Sequence, residues 1–193
     1  MIATELAELG LTPPPETEAV VRRVIHTTAD FDYAKNLRFT PGAVQKAVEA
    51  LHKGAFLVTD TNMALAGITK PGLAKLGGQA ACYMADPEVA ARAKAEGTTR
   101  AVAAMHKAAA EHPGAILAVG NAPTALLTIA EQIEAGLRPA LVIGVPVGFV
   151  NVVESKERII QAAAAPYIVS RGRKGGSNVA AAICNAMLYQ IRR

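Results

Sequence analysis

The chain has no tryptophan, and its phenylalanines and tyrosines make up only 4% of the residues. Proteins that hold single-stranded nucleic acid stack bases on aromatic faces, so that function lacks its usual platform. Cysteine is scarce as well. Cys82 and Cys184 are the two present, each within an apolar run and without Cys-x-x-Cys or zinc-ligand spacing. They read as buried thiols of a reducing compartment. No uninterrupted apolar stretch reaches the roughly 18 residues that suggest a membrane span. The first ten residues are acidic and lack the basic start of a secretory signal. The expectation is a cytoplasmic protein without membrane or nucleic-acid partners. Gly-x-x-x-x-Gly-Lys-[Ser/Thr] is missing, and no Gly-x-Gly-x-x-Gly follows a strand, so ATP and dinucleotides lose their strongest support. There is no His-Glu-x-x-His and no Gly-x-Ser-x-Gly elbow. No zinc constellation is found, and no metal site is expected.

What remains is a chain of 193 residues that is 51% hydrophobic, mostly alanine, valine, leucine and isoleucine. That length suits one domain over residues 1–193, with residues 1–15 as a short N-terminal tail. The formal charge is +4. The basic residues are scattered except at Arg171, Arg173 and Lys174, which fits a small polyanion better than a nucleic-acid stripe.

Short, continuously apolar runs fall at Ala55–Thr59, Gln79–Met84, Ala115–Val119, Ala140–Val145 and Tyr167–Ser170, as strands buried on both faces should. Helical patterns surround them at Glu16–Ala29, Pro41–His52, Thr61–Ile68, Pro87–Ala95, Thr98–Glu111, Pro123–Ala135, Ser155–Ala164 and Ser177–Ile191. The expected fold is α/β: a three-layer α/β/α, flavodoxin-like domain on a five-stranded parallel sheet.

Ligands of such sheets bind beyond the carboxyl ends of the strands. That rule selects Asp60-Thr61-Asn62, the Gly120–Thr124 turn, Pro146–Asn151 and Arg171–Asn178. The last segment carries three cations and a glycine pair into a helix N-terminus, with Ser177 as its cap. Free N–H groups and guanidinium forks there suit a carboxylate or phosphate. The Gly120–Thr124 turn reads equally as an anion nest or as a plain strand-to-helix turn. Asp60 and Asp86 each close a strand, and capping explains both. On the first long helix, at roughly 100° per residue, Val21, Val24, Ile25 and Thr28 share a face. His26 lies nearly opposite, flanked by Arg22 and Arg23, so it is not a core histidine.

Four stretches carry a family resemblance: Val24-Ile25-His26, Gly120-Asn121-Ala122-Pro123-Thr124-Ala125-Leu126, Gly144–Val150 with Glu154-Ser155-Lys156, and Arg171–Ser177. In order and spacing, from about residue 20 onward, the chain resembles the precorrin-8X methylmutase (precorrin isomerase) family. The resemblance implies a flavodoxin-like homodimer with its site near the subunit interface. It implies an isomerase of cobalamin biosynthesis that moves a methyl from C11 to C12 of precorrin-8X or cobalt-precorrin-8, giving hydrogenobyrinate or cobyrinate, without a cofactor. His26 matches the family's proposed acid, and Arg23 a substrate contact. Thr69 and Lys70 match a Thr-basic pair. Arg171, Arg173 and Lys174 would hold carboxylates of the polycarboxylate tetrapyrrole, with Asp60, Asn121, Gly148 and Ser177 as pocket residues. A Ser-Phe-x-Ile stretch found in the family's N-terminal segment has no counterpart here. A non-catalytic tetrapyrrole carrier is the rival reading; it would keep the anion sites but have no need of His26. A sulfonium-dependent methyltransferase would want a glycine-rich loop where Asp60-Thr61-Asn62 stands.

Overall fold

The computed structural model describes residues 1–162 and 164–190. In chain order the elements are α1 (Ile2–Glu8), α2 (Pro15–Thr28), α3 (Tyr33–Asn36), β1 (Leu37–Phe39), α4 (Ala43–His52), β2 (Leu57–Thr59), α5 (Asn62–Gly67), α6 (Lys70–Ala74) and β3 (Ala80–Ala81). The second half comprises α7 (Pro87–Ala95), α8 (Arg100–Glu111), β4 (Ile116–Val119), α9 (Pro123–Glu134), β5 (Leu141–Gly144), α10 (Val152–Ala162), β6 (Tyr167–Ser170) and α11 (Ser177–Gln190).

One sheet carries six strands in the order β1-β6-β5-β4-β2-β3. Five are parallel. Counted among themselves they lie 2-1-3-4-5, the flavodoxin-like arrangement. The expectation of five strands is corrected by β1, which pairs antiparallel with β6, Leu37 opposite Ser170 and Phe39 opposite Ile168. Three residues are too few to show an alternation, so the sequence pattern does not announce this strand. The expected run Gln79–Met84 shrinks to the two residues of β3, because a 3-10 turn at Tyr83–Ala85 takes its second half. Within residues 1–15, α1 packs on α2 and buries Leu6. The helical pattern of the final helix extends to residue 191, which lies outside the described residues.

Successive strand residues face opposite layers, as the strand period of two requires. Leu57, Ile116, Ala118, Leu141, Ile143 and Ile168 pack against α1, α2, α4, α5, α6 and α11. Val58, Leu117, Val119, Val142 and Val169 pack against α7, α8, α9 and α10. The first layer is built around α11, whose residues Val179 to Leu188 are all buried. A helix apolar all round must be enclosed by neighbours, and α2, α4 and α5 enclose it. α2 starts with Pro15 in its first turn and stops at Ala29, whose left-handed backbone returns its N–H to the Ile25 carbonyl. Among the described residues no helix is long and apolar enough to cross a membrane.

The start of α11 lies directly against the end of β4. A Cβ added at Gly120 would meet the Ser177 Cα at 2.7 Å and the Gly176 carbonyl oxygen at 2.8 Å. These are backbone atoms and cannot swing aside. Gly120→Ala is expected to destabilise the protein by about 1–3 kcal/mol through overpacking, read as a lower urea midpoint with an unchanged slope.

Candidate functional site

The sheet reverses its winding between β2 and β4, where doubly wound folds open a crevice for ligands. Here a side chain of the chain itself fills it. Asp60, at the end of β2, is almost fully buried. Its Oδ1 accepts the Gly120 N–H at 2.9 Å, and its Oδ2 accepts those of Asn121 and Ala122, both at 2.8 Å. Burial holds the Asp60 carboxyl above the ordinary carboxylate range, and these three donors only partly offset it. Both oxygens being surrounded by N–H donors favours the ionised form, which accepts without having to place a proton. The Gly120–Thr124 turn is thus an anion nest, and its anion is Asp60. This carboxylate braces the rim from a buried position.

Around that brace the strand ends assemble as a rim. Thr61 caps α5 by accepting the Ala64 N–H at 3.1 Å, and its hydroxyl lies 2.8 Å from that of Ser177. Asn121 is exposed beside them. Gly148, at φ 142°, gives its N–H to the Arg173 carbonyl at 3.2 Å. Val147, Phe149 and Val150 project into solvent from the same turn. The Arg173 guanidinium lies 5.5 Å from the centre of the Phe149 ring.

The three rim cations are not equivalent. Arg171 forms a two-pronged pair with Glu157, both contacts 2.7 Å. Lys174 is shared between Asp30 and Asp32, at 2.6 Å each. Arg173 has no carboxylate partner among the described residues. Of the three, Arg173 is thus the cation whose charge no carboxylate of the described residues offsets.

His26 and Arg23 stand apart from the rim. They open on a shallow cavity of about 410 Å³ between α2 and the end of α11, completed by Ile2, Ala19, Ala186 and Tyr189. His26 is exposed, in keeping with its place on the helical wheel. The Arg23 guanidinium sits 5.2 Å from the Tyr189 ring centre, and its buried Nε has no hydrogen-bond partner among the described residues. Thr69 joins this group, its hydroxyl 3.4 Å from that of Tyr189. Asn185 fixes Thr69 by accepting its N–H at 2.9 Å while donating to the Gly67 carbonyl at 2.8 Å. Lys70 follows at the exposed start of α6. Tyr189 is not among the residues that sequence reasoning selects. Its only signal is its place four residues after the polar Asn185, on the outward edge of an otherwise apolar helix.

The structure thus gathers the predicted residues into two groups. Asp60, Asn121, Gly148, Arg171, Arg173, Lys174 and Ser177 form the rim; Arg23, His26, Thr69 and Lys70 form the helical face. Ser177 and Tyr189, at opposite ends of α11, are separated by roughly 18 Å of helix.

Comparison with known proteins gives this arrangement its class. The precorrin-8X methylmutase (CbiC) family matches residues 1–190. The cobalt-precorrin-8 methylmutase of Salmonella typhimurium is 46% identical over 179 residues, covering 92% of this chain and 83% of the relative. That of Priestia megaterium is 43% identical, covering 93% and 80%. The precorrin-8X methylmutase of Pseudomonas aeruginosa is 38% identical, covering 96% and 90%. Among solved structures, the precorrin-8X methyl mutase of Thermus thermophilus superposes with a TM-score of 0.87 at 41% identity, over 97% of this chain and 94% of that one. The protein is an isomerase of the methylmutase class, within cobalamin biosynthesis. It belongs to the precorrin-8X methylmutase family.

The Lys174 bridge gives a pH prediction. Lys174 holds the Asp30 carboxyl below the ordinary carboxylate range. A depressed folded pKa contributes stability that is present above the unfolded value and lost as pH falls through the folded one. In Lys174→Met the Asp30 carboxyl should titrate higher by NMR, stability near neutral pH should fall, and the further loss on acidification should become shallower.

Proposed function

We propose that this enzyme moves the C11 methyl of cobalt-precorrin-8 to C12, giving cobyrinate, with His26 as the acid. The observation that carries this reading is the pairing of His26 with Arg23 on one open cavity. Arg23 brings to it a buried Nε that lacks an acceptor among the described residues. A buried donor without a partner is costly, and a substrate carboxylate would satisfy it. Histidine holds and releases a proton near neutral pH. Protonating the ring C nitrogen makes the neighbouring carbons electron-poor and eases migration. After the shift the same nitrogen returns the proton, so substrate and product remain isomers and His26 is regenerated. General acid catalysis of this kind is worth about 10²–10⁴-fold. Thr69 and Lys70 flank the cavity for further carboxylates.

Of the relatives compared above, the two named for the cobalt-containing substrate, at 46% and 43% identity, are more similar to this chain than the two named for the metal-free substrate, at 41% and 38%. That supports cobalt-precorrin-8 over precorrin-8X, with hydrogenobyrinate as the product in the metal-free case. Cobalt here is part of the substrate. The reaction is internal to the macrocycle and needs no methyl donor.

We further propose a homodimer in which the helical face of one protomer meets the rim of its partner. Two features support it: the length of α11 between the two groups of residues, and the apolar Val147, Phe149 and Val150 exposed on the rim. Arg173, with Arg171, Lys174, Ser177, Asn121 and Gly148 around it, would then receive peripheral carboxylates of the tetrapyrrole. The reducing-compartment reading of the two cysteines supports a cytoplasmic location.

His26→Ala should lower turnover by about 10²–10⁴-fold while leaving substrate affinity within a few-fold, because the proton matters more in the transition state than in the ground state. Anaerobic turnover of the substrate with and without cobalt, followed by the change in visible absorption, tests both points. A folded His26→Ala enzyme with full turnover would remove the acid assignment. Tight binding without turnover by the wild type would favour the carrier.

A further inference from the structure

Lys156 is fully buried on α10, and no carboxylate pairs with it among the described residues. Its ammonium donates instead to two backbone carbonyls of the rim, Gly172 at 2.8 Å and Lys174 at 2.9 Å. The buried Ser170 hydroxyl donates to the same Lys174 carbonyl at 2.8 Å. The carbonyl between them, on Arg173, accepts the Gly148 N–H. The Gly172 and Lys174 carbonyls are therefore held by the buried Lys156, and the Arg173 carbonyl by the Pro146–Asn151 turn.

Peptide planarity then sets the direction of the donors. In a trans peptide the N–H of each residue points opposite to the carbonyl before it. With the carbonyls of Gly172 and Lys174 turned to the buried Lys156 ammonium, the N–H groups of Arg173 and Gly175 point away from it. Neither has an acceptor among the described residues. A side chain at residue 175 is excluded, since its Cβ would run into the Val145 carbonyl.

We propose that Lys156 is a positioning residue for substrate binding: its ammonium fixes the Gly172 and Lys174 carbonyls so that the outward N–H groups of Arg173 and Gly175, beside the Arg173 guanidinium, receive a substrate carboxylate. This rests on the reading of the rim as part of the substrate site. Lys156 touches no substrate itself; it acts through the shape of the backbone and by placing a positive charge beneath it. A surface turn would be solvated without such a device, whereas a receptor for a carboxylate gains from donors that are already aimed.

Burial draws the Lys156 ammonium down to about 8. The charged groups around it are otherwise engaged: Arg171 with Glu157 from its own helix, Lys174 with Asp30 and Asp32 beyond α2, and Arg158 with Glu131 and Glu134 of α9. Arg173 faces Phe149. Deprotonated Lys156 keeps its donors but loses its charge, so substrate affinity should weaken as pH rises through about 8.

The test is steady-state turnover of cobalt-precorrin-8 by the full-length enzyme, with KM and kcat measured from pH 6.5 to 9.5. Lys156→Met should raise KM by roughly tenfold or more at pH 7, change kcat far less, and abolish the rise of KM above pH 8. Ser170→Ala, a small change in the same latch, should raise KM by a few-fold and retain the alkaline rise. Circular dichroism reports folding. If Lys156→Met does not fold, Ser170→Ala decides. Wild-type KM in the folded variants overturns the proposal. Arg173→Ala separates the two levels. If it raises KM while the latch variants do not, the rim binds substrate but Lys156 does not position it. If it leaves KM unchanged, the reading of the rim itself fails.

Discussion

The Asp60 carboxylate sits where a doubly wound sheet would ordinarily admit its ligand. By accepting three backbone N–H groups of the β4–α9 turn, it joins the end of β2 to the end of β4 and closes the crevice between them. Much of the rim is referred to this junction. Gly120 can lie against the start of α11 only because the turn is held in place and the residue has no side chain. Thr61, one residue beyond Asp60, then reaches Ser177. A buried carboxylate so bonded costs less than the same group unpaired, and it turns a general binding place of the fold into a structural brace. In the proposed function, recognition falls outward, on the exposed edge of the rim and on the face formed by α2 and α11.

That displacement suits a large, flat, many-carboxylate ligand better than a small one. A closed crevice of the mononucleotide kind would bury a phosphate and little else. The surfaces found here are broad and carry their polar groups well apart. Arg23 and Arg173 have no carboxylate partner among the described residues, and each lies near an aromatic ring. The ring limits the positions open to the guanidinium without neutralising it. Arg171 and Lys174, already paired, serve the free protein by holding the rim to α10 and to the segment after α2.

The layers are legible in the sequence because strands buried on both faces are continuously apolar and helices punctuate them with proline and glycine. The wheel of α2 places His26 outside the core for the same reason: a helix packed on one side cannot hide its opposite face. β1 is not legible, since three residues carry no period and its pairing with β6 is fixed by partners far along the chain. Lys156 stands in a motif without a visible role, because nothing local distinguishes a buried lysine from one on a solvated helix face. Its partners, Gly172 and Lys174, are set by tertiary packing. Asp60 is legible as a residue at a strand end but not as the occupant of the nest. Only the distances that bring the carboxylate and the N–H groups together decide between the two readings of that turn.

The antiparallel strand β1 has a consequence for how the chain is made. It pairs with β6, and α2 packs on α11, so the first forty residues find their main partners only in the last quarter of the sequence. At synthesis rates of roughly 5–20 residues per second, the apolar side of α2 waits on the order of ten seconds before α11 emerges to cover it. During that interval β2 to β5 can assemble among themselves, while the amino-terminal helices remain uncovered and open to chaperones. The edge of the sheet is closed last by the piece of chain that was made first.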